Sequence, residues 1–129
     1  MTARPRVTPS TLLQLEGLLL LALGCAAYQH LFPHRWLFFA LLFLAPDLSL
    51  LGYATGSLRF AAALYNAGHT FTLPLLLGFA SSLSAWHTGL ALALIWCAHI
   101  SFDRALGYGL KFAEAFKPTH IQRAGIWRD

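Results

Sequence analysis

Charge is what this chain has least of: 11% of its 129 residues are Asp, Glu, Lys or Arg, against about 25% in soluble domains. Too few polar heads remain to coat a water-facing surface, which excludes a soluble globule. Polar linkers, low-complexity stretches and internal repeats are absent as well, and 14% aromatic residues among long Leu/Ala/Phe runs exclude disorder. Cysteine is scarce too. Cys25 and Cys97 fall on separate apolar segments at different depths, so no disulfide is predicted and both read as packing residues. What remains is a single integral membrane domain over residues 1–129.

Four apolar runs, 11–27, 36–53, 60–80 and 85–102, each have the length of a spanning helix. The expected fold is all-α, a four-helix transmembrane bundle with a basic C-terminal tail over 103–129. In that tail Arg104, Lys111, Lys117, Arg123 and Arg128 alternate with Tyr108, Phe112, Phe116 and Trp127, a pattern that lies on a membrane surface. Short cytoplasmic loops collect Lys and Arg. Of the nine such residues, Arg35 alone falls on the opposite side from Arg4, Arg6, Arg59 and the tail, so the reading is a multi-pass cell-membrane protein with both termini cytoplasmic. The net charge of +4 is then a topology signal and an attraction to anionic lipid, with no nucleic-acid partner implied. The first apolar run imitates a secretory signal, but Glu16 interrupts it and more membrane helix follows, so no cleavage is expected.

Within such spans ionisable groups are costly and call for an internal partner or a function. Glu16, Asp47, Asn66, His69, His99 and Asp103 all fall in the cytoplasmic half of the expected bundle, in a band on the order of 10 Å deep. His99 and Asp103 are four apart and share one helix face; Asn66 and His69, three apart, do likewise. Pro46 disfavours helix at Ala45 and removes a donor beside Asp47, so a break there would aim the carboxylate inward. Two acids and two imidazoles suit a divalent transition ion such as zinc, which makes Asp47, His69, His99 and Asp103 the candidate ligands. Glu16 is a further ligand, a general base or an acceptor for a ligand imidazole. Equally open is a purely structural network, since no tight motif such as HExxH is present. His30, His34, His87 and His120 read as surface residues, and Trp36, Trp86 and Trp96 as carrying no chemistry. Arg104, Tyr108 and Lys111 stand where a phosphate head group would arrive, Lys111 reading more simply as an anchor.

The segments LEG at Leu15 to Gly17, FLAPDLSLLGY at Phe43 to Tyr53, YNAGHT at Tyr65 to Thr70, AHISFDRALGYGLK at Ala98 to Lys111 and FKPTHI at Phe116 to Ile121 closely resemble the small integral-membrane family known as domain of unknown function 4260. That resemblance implies no activity. A fainter similarity is to membrane-bound metal-dependent hydrolases, whose Pro-Asp-x-Asp step, His element and His-x-x-x-Asp helix look like Pro46 to Ser49, Gly68 to Thr70 and His99 to Asp103. Ser49 stands where that family has an acid, which implies a single-metal or metal-free site.

Two functions of different class are expected from these residues. The first is a divalent-metal-dependent hydrolase of a lipid-like ester or phosphoester, with Glu16 as base, Arg104 steadying negative charge, and Asn66, Tyr108 and Lys111 contacting substrate. The second is a non-enzymatic membrane scaffold or carrier whose polar network is structural or proton-linked, with Gly17, Gly24, Gly52 and Gly68 suited to close packing or a homo-oligomer.

Overall fold

In the computed structural model the described residues are 7–110; the expected tail begins as the last turn of the final helix, which runs to Ala105, and its residues from Lys111 on, His120 included, lie outside them. Among the described residues there are five α-helices and no strand: α1 (Pro9–Leu31), α2 (Trp36–Leu42), α3 (Leu58–Gly68), α4 (Thr72–Leu83) and α5 (His87–Ala105), with a 3-10 segment over Ala45–Thr55 between α2 and α3. Helix α1 starts where Thr8, in extended backbone, accepts from the Thr11 N–H at 3.1 Å and Pro9 occupies the first helical turn.

The expected span over 36–53 is present as helix and then 3-10 segment. The α-helix stops at Leu42, before Ala45 and Pro46, and the tighter winding carries on for eleven residues, far beyond the three or four usual for 3-10 geometry. The expected span over 60–80 is two helices. It breaks after Gly68, and Pro74 sits in the first turn of α4, where its missing N–H costs no intrahelical bond. At 11 and 12 residues, α3 and α4 are each about 17 Å long, short of the ~30 Å of a hydrocarbon core. Two stretches, Pro9–Leu31 and Trp36–Thr55, are long and apolar enough to cross a membrane. The expected set of four spans is thus reduced, among the described residues, to two of that length and apolarity.

Helix α5 is the centre. It buries Gly89, Ala91, Ala93, Ile95, Ala98, His99, Ile100 and Ser101, whereas α1 buries only Gly17 and Tyr28. Small residues along α5 let its neighbours approach closely. Helix α1 runs antiparallel to it: Gly17 lies against Arg104 and Ala105, and Tyr28 packs with Phe32, Ala91 and Ile95. Tyr28 also donates to the Arg35 carbonyl at 2.8 Å, fixing the corner between α1 and α2. Leu18, Leu19 and Leu23 of α1 and Leu75, Leu76 and Phe79 of α4 are exposed, an apolar exterior of the kind that lipid covers.

The α1 to α5 crossing gives a stability prediction. A Cβ on Gly17 would stand 2.6 Å from Arg104 Cβ and 2.7 Å from the Ala105 nitrogen. Gly17→Val is therefore expected to force the helices apart and destabilise the protein by about 1–3 kcal/mol. The check is the thermal midpoint of the detergent-purified protein; an unchanged midpoint would mean that the two helices do not meet at this residue.

Candidate metal centre

The breaks in the two apolar runs create the site. Where α3 ends, its last carbonyls lose their helical partners, and in an apolar setting each must find another donor. The His69 ring turns back on its own helix, and Nδ1 donates to the Tyr65 carbonyl at 2.8 Å, with the imidazole stacked on the Tyr65 ring at 3.8 Å between centroids. Trp96 Nε1 donates to the Gly68 carbonyl at 2.6 Å, and Arg104 Nη2 to the His69 carbonyl at 2.9 Å. Three side chains thus cap the exposed end of α3, and all three belong to or adjoin the candidate centre.

The first of these bonds decides the chemistry of His69. A carbonyl can only accept, so Nδ1 carries the hydrogen and, in the neutral ring, Nε2 holds a lone pair. That lone pair faces Asp47 Oδ1 at 3.2 Å, His99 Nε2 at 3.2 Å and Asp103 Oδ2 at 3.4 Å. His99 Nε2 in turn stands 3.2 Å from Asp47 Oδ1 and 3.4 Å from Asp103 Oδ2. Asp47 comes from the 3-10 segment, His69 from the α3 to α4 break, and His99 and Asp103 from successive turns of α5. Both His side chains are 1% exposed, Asp103 14% and Asp47 40%. The Phe43 ring meets His99 edge-on at 5.5 Å. His99 Nδ1 is buried and has no hydrogen-bond partner among the described residues.

Three acceptor-type atoms and His99 Nε2, whose hydrogen no bond at Nδ1 fixes, therefore crowd one point. A proton on His99 Nε2 serves one of those contacts well, whereas a divalent cation at the centre serves all four and balances two carboxylates. Most of the spacing fits such an ion. Metal–ligand bonds of about 2.0–2.1 Å place tetrahedral donors about 3.3–3.4 Å apart. Five of the six donor separations here are 3.2–3.4 Å, and the sixth, between the carboxylates, is within 4.8 Å. The residues present could hold a metal ion.

The other candidate residues are placed differently. Glu16 is exposed on α1 and is not part of the four-donor group. Arg104 reaches the His69 and Tyr108 carbonyls, the latter at 3.2 Å, so its guanidinium braces backbone at the edge of the centre. Tyr108 takes part through its backbone, its side chain standing outward. Asn66 lies one turn before His69 on α3, half-buried, and its carbonyl accepts the His69 N–H at 3.2 Å. His30, His34 and His87 are exposed. Trp96 and Tyr65 are site residues with no counterpart among the expected ones. The four-residue step from Tyr65 to His69 and the three-residue step from Trp96 to His99 each carry a signal of a shared helix face, but nothing in the sequence signals that Trp96 caps Gly68.

A family model described as Domain of unknown function (DUF4260) matches residues 10–124, and the chain belongs to that family. Comparison with curated proteins and with solved structures gives no match.

Proposed function

We propose that this member of the DUF4260 family is a membrane-embedded protein that holds one divalent metal ion between Asp47, His69, His99 and Asp103 and uses it to hydrolyse an ester or phosphoester of a lipid-like substrate. The observation that carries the metal is the His69 tautomer: with Nδ1 committed to the Tyr65 carbonyl, the Nε2 lone pair points at two carboxylates and a second imidazole. The apolar exterior and the two long apolar stretches support the membrane setting, and the Lys/Arg asymmetry supports cytoplasmic termini.

Reactivity, as distinct from a purely structural role, is favoured by the uneven burial of the donors. A structural zinc site is closed by four protein ligands, whereas a catalytic one keeps a position for water or substrate. Here three donors are sequestered and the fourth, Asp47, is 40% exposed, so exchange of Asp47 for water or substrate would open the position that catalysis needs. A divalent ion supplies Lewis acidity and makes water a usable nucleophile near neutral pH. Hydrolysis consumes one water: its oxygen bonds to the carbonyl carbon or phosphorus, the ester bond to the alcohol oxygen breaks, and the water proton ends on that oxygen. Asp47, the accessible carboxylate, is placed to carry the proton between them.

The test is elemental analysis of the full chain, purified in detergent from zinc-supplemented cells. About one divalent ion per chain is expected, falling to background in His99→Ala. A wild-type protein without stoichiometric metal after supplementation would overturn the reading and leave the polar cluster as a structural network.

A further inference from the structure

Next to the four donors lies a cavity of about 310 Å³ with an apolar lining. Its wall on α5 is formed by Leu92, Ile95 and Trp96. With His99 and Asp103 these positions run at helical spacing along one face of α5, so the cavity and the donors form a continuous stripe. The second wall shows the same continuity: Ala45 and Pro46 line the cavity, and the next residue is Asp47. Leu42 and Leu77 complete it, bringing in α2 and the helix that follows His69. Trp96 links the two regions, its ring lining the cavity while Nε1 caps Gly68 beside His69.

The direction of the cavity also carries information. Helix α5 has 19 residues, about 28 Å, and packs antiparallel along α1, one of the two stretches long and apolar enough to cross a membrane. His99 and Asp103 fall in its last seven residues, and Leu92 to Trp96 lie toward its middle. An amphiphile in a bilayer adopts that arrangement, with its head at the edge and its chain pointing inward. In size, a cavity of about 150 Å³ accepts benzene, so this one matches a single chain of roughly a dozen carbons and is small for a two-chain lipid.

We propose that this cavity is the acyl-chain site for the proposed reaction, and that the substrate class is a single-chain amphiphile whose ester, phosphoester or acid head lies at Asp47. This rests on the metal-centre reading, and the experiment separates the two. The full chain, purified in detergent and loaded with cobalt(II), is titrated with acetohydroxamate and with decanohydroxamate while the visible spectrum of the metal is followed. Leu77→Trp and Leu92→Trp fill the cavity from two different helices, and neither adjoins a donor in sequence. Each buried methylene is worth roughly fourfold in affinity, so decanohydroxamate is expected to weaken at least about tenfold in each variant. Acetohydroxamate should bind all three proteins alike, and because detergent takes up the long chain equally in each case, the variant ratio isolates the cavity. Unchanged decanohydroxamate affinity in a cobalt-loaded variant overturns the acyl-chain site and leaves the metal centre standing. A wild-type protein that shows no cobalt spectrum overturns the metal reading itself.

Discussion

Replacing His69 with alanine is expected to lower the affinity for a divalent ion more than about 100-fold, because even the loss of a residue that only orients a ligand costs 10–100-fold. The variant loses the Nε2 donor at the middle of the group, 3.2 Å from Asp47 and His99 and 3.4 Å from Asp103. It also loses the buried hydrogen bond to the Tyr65 carbonyl, and such a bond contributes about 1 kcal/mol. Thermal stability should therefore fall even in the metal-free protein. Asp47→Asn separates these effects: the amide keeps the shape of the most exposed donor, disturbs no backbone cap, and removes a negative charge from the cluster. It is expected to weaken metal binding while leaving the metal-free thermal midpoint unchanged. Equilibrium dialysis with chelator-buffered zinc, read beside the melting curve, checks both variants. Wild-type affinity in His69→Ala would remove His69 from the ligand set.

How the sequence foretells this centre, and where it falls short, follows from the physics of each clue. The four donors are legible because ionisable side chains are rare in apolar runs, and because the four-residue step from His99 to Asp103 and the Pro46–Asp47 dipeptide each have a local geometric meaning. Hydropathy over 60–80 reports how apolar the run is and says nothing of whether it is continuous. Its break after Gly68 is sustained by Trp96, 28 residues from Gly68, and Arg104, 35 residues from His69, contacts that exist only in the folded chain. Depth along a helix gives height without azimuth, which explains Glu16. It stands at a suitable height, but neighbouring helical residues point about 100° apart; Gly17 takes the side facing α5 and Glu16 is left exposed.

Arg104 invites two roles with opposite signatures. Beside a ligand and near a membrane edge it reads as a group that steadies negative charge on a substrate. In the folded protein its fork spans two carbonyls, Nη2 to His69 at 2.9 Å and Nη1 to Tyr108 at 3.2 Å, tying the ligand-bearing break to the end of α5. A planar guanidinium can hold two acceptors at fixed spacing, whereas an ammonium is a flexible point charge. Arg104→Met is therefore expected to lower metal affinity by about 10–100-fold, the range for residues that orient a ligand, and Arg104→Lys to fall between it and wild type because one carbonyl stays capped. Chelator competition measures this with no substrate present. A role confined to substrate charge predicts the reverse: all three proteins would bind zinc equally, and Lys would restore turnover that Met removes. Equal zinc affinities would thus return Arg104 to the substrate and leave Trp96 as the long-range brace of the break.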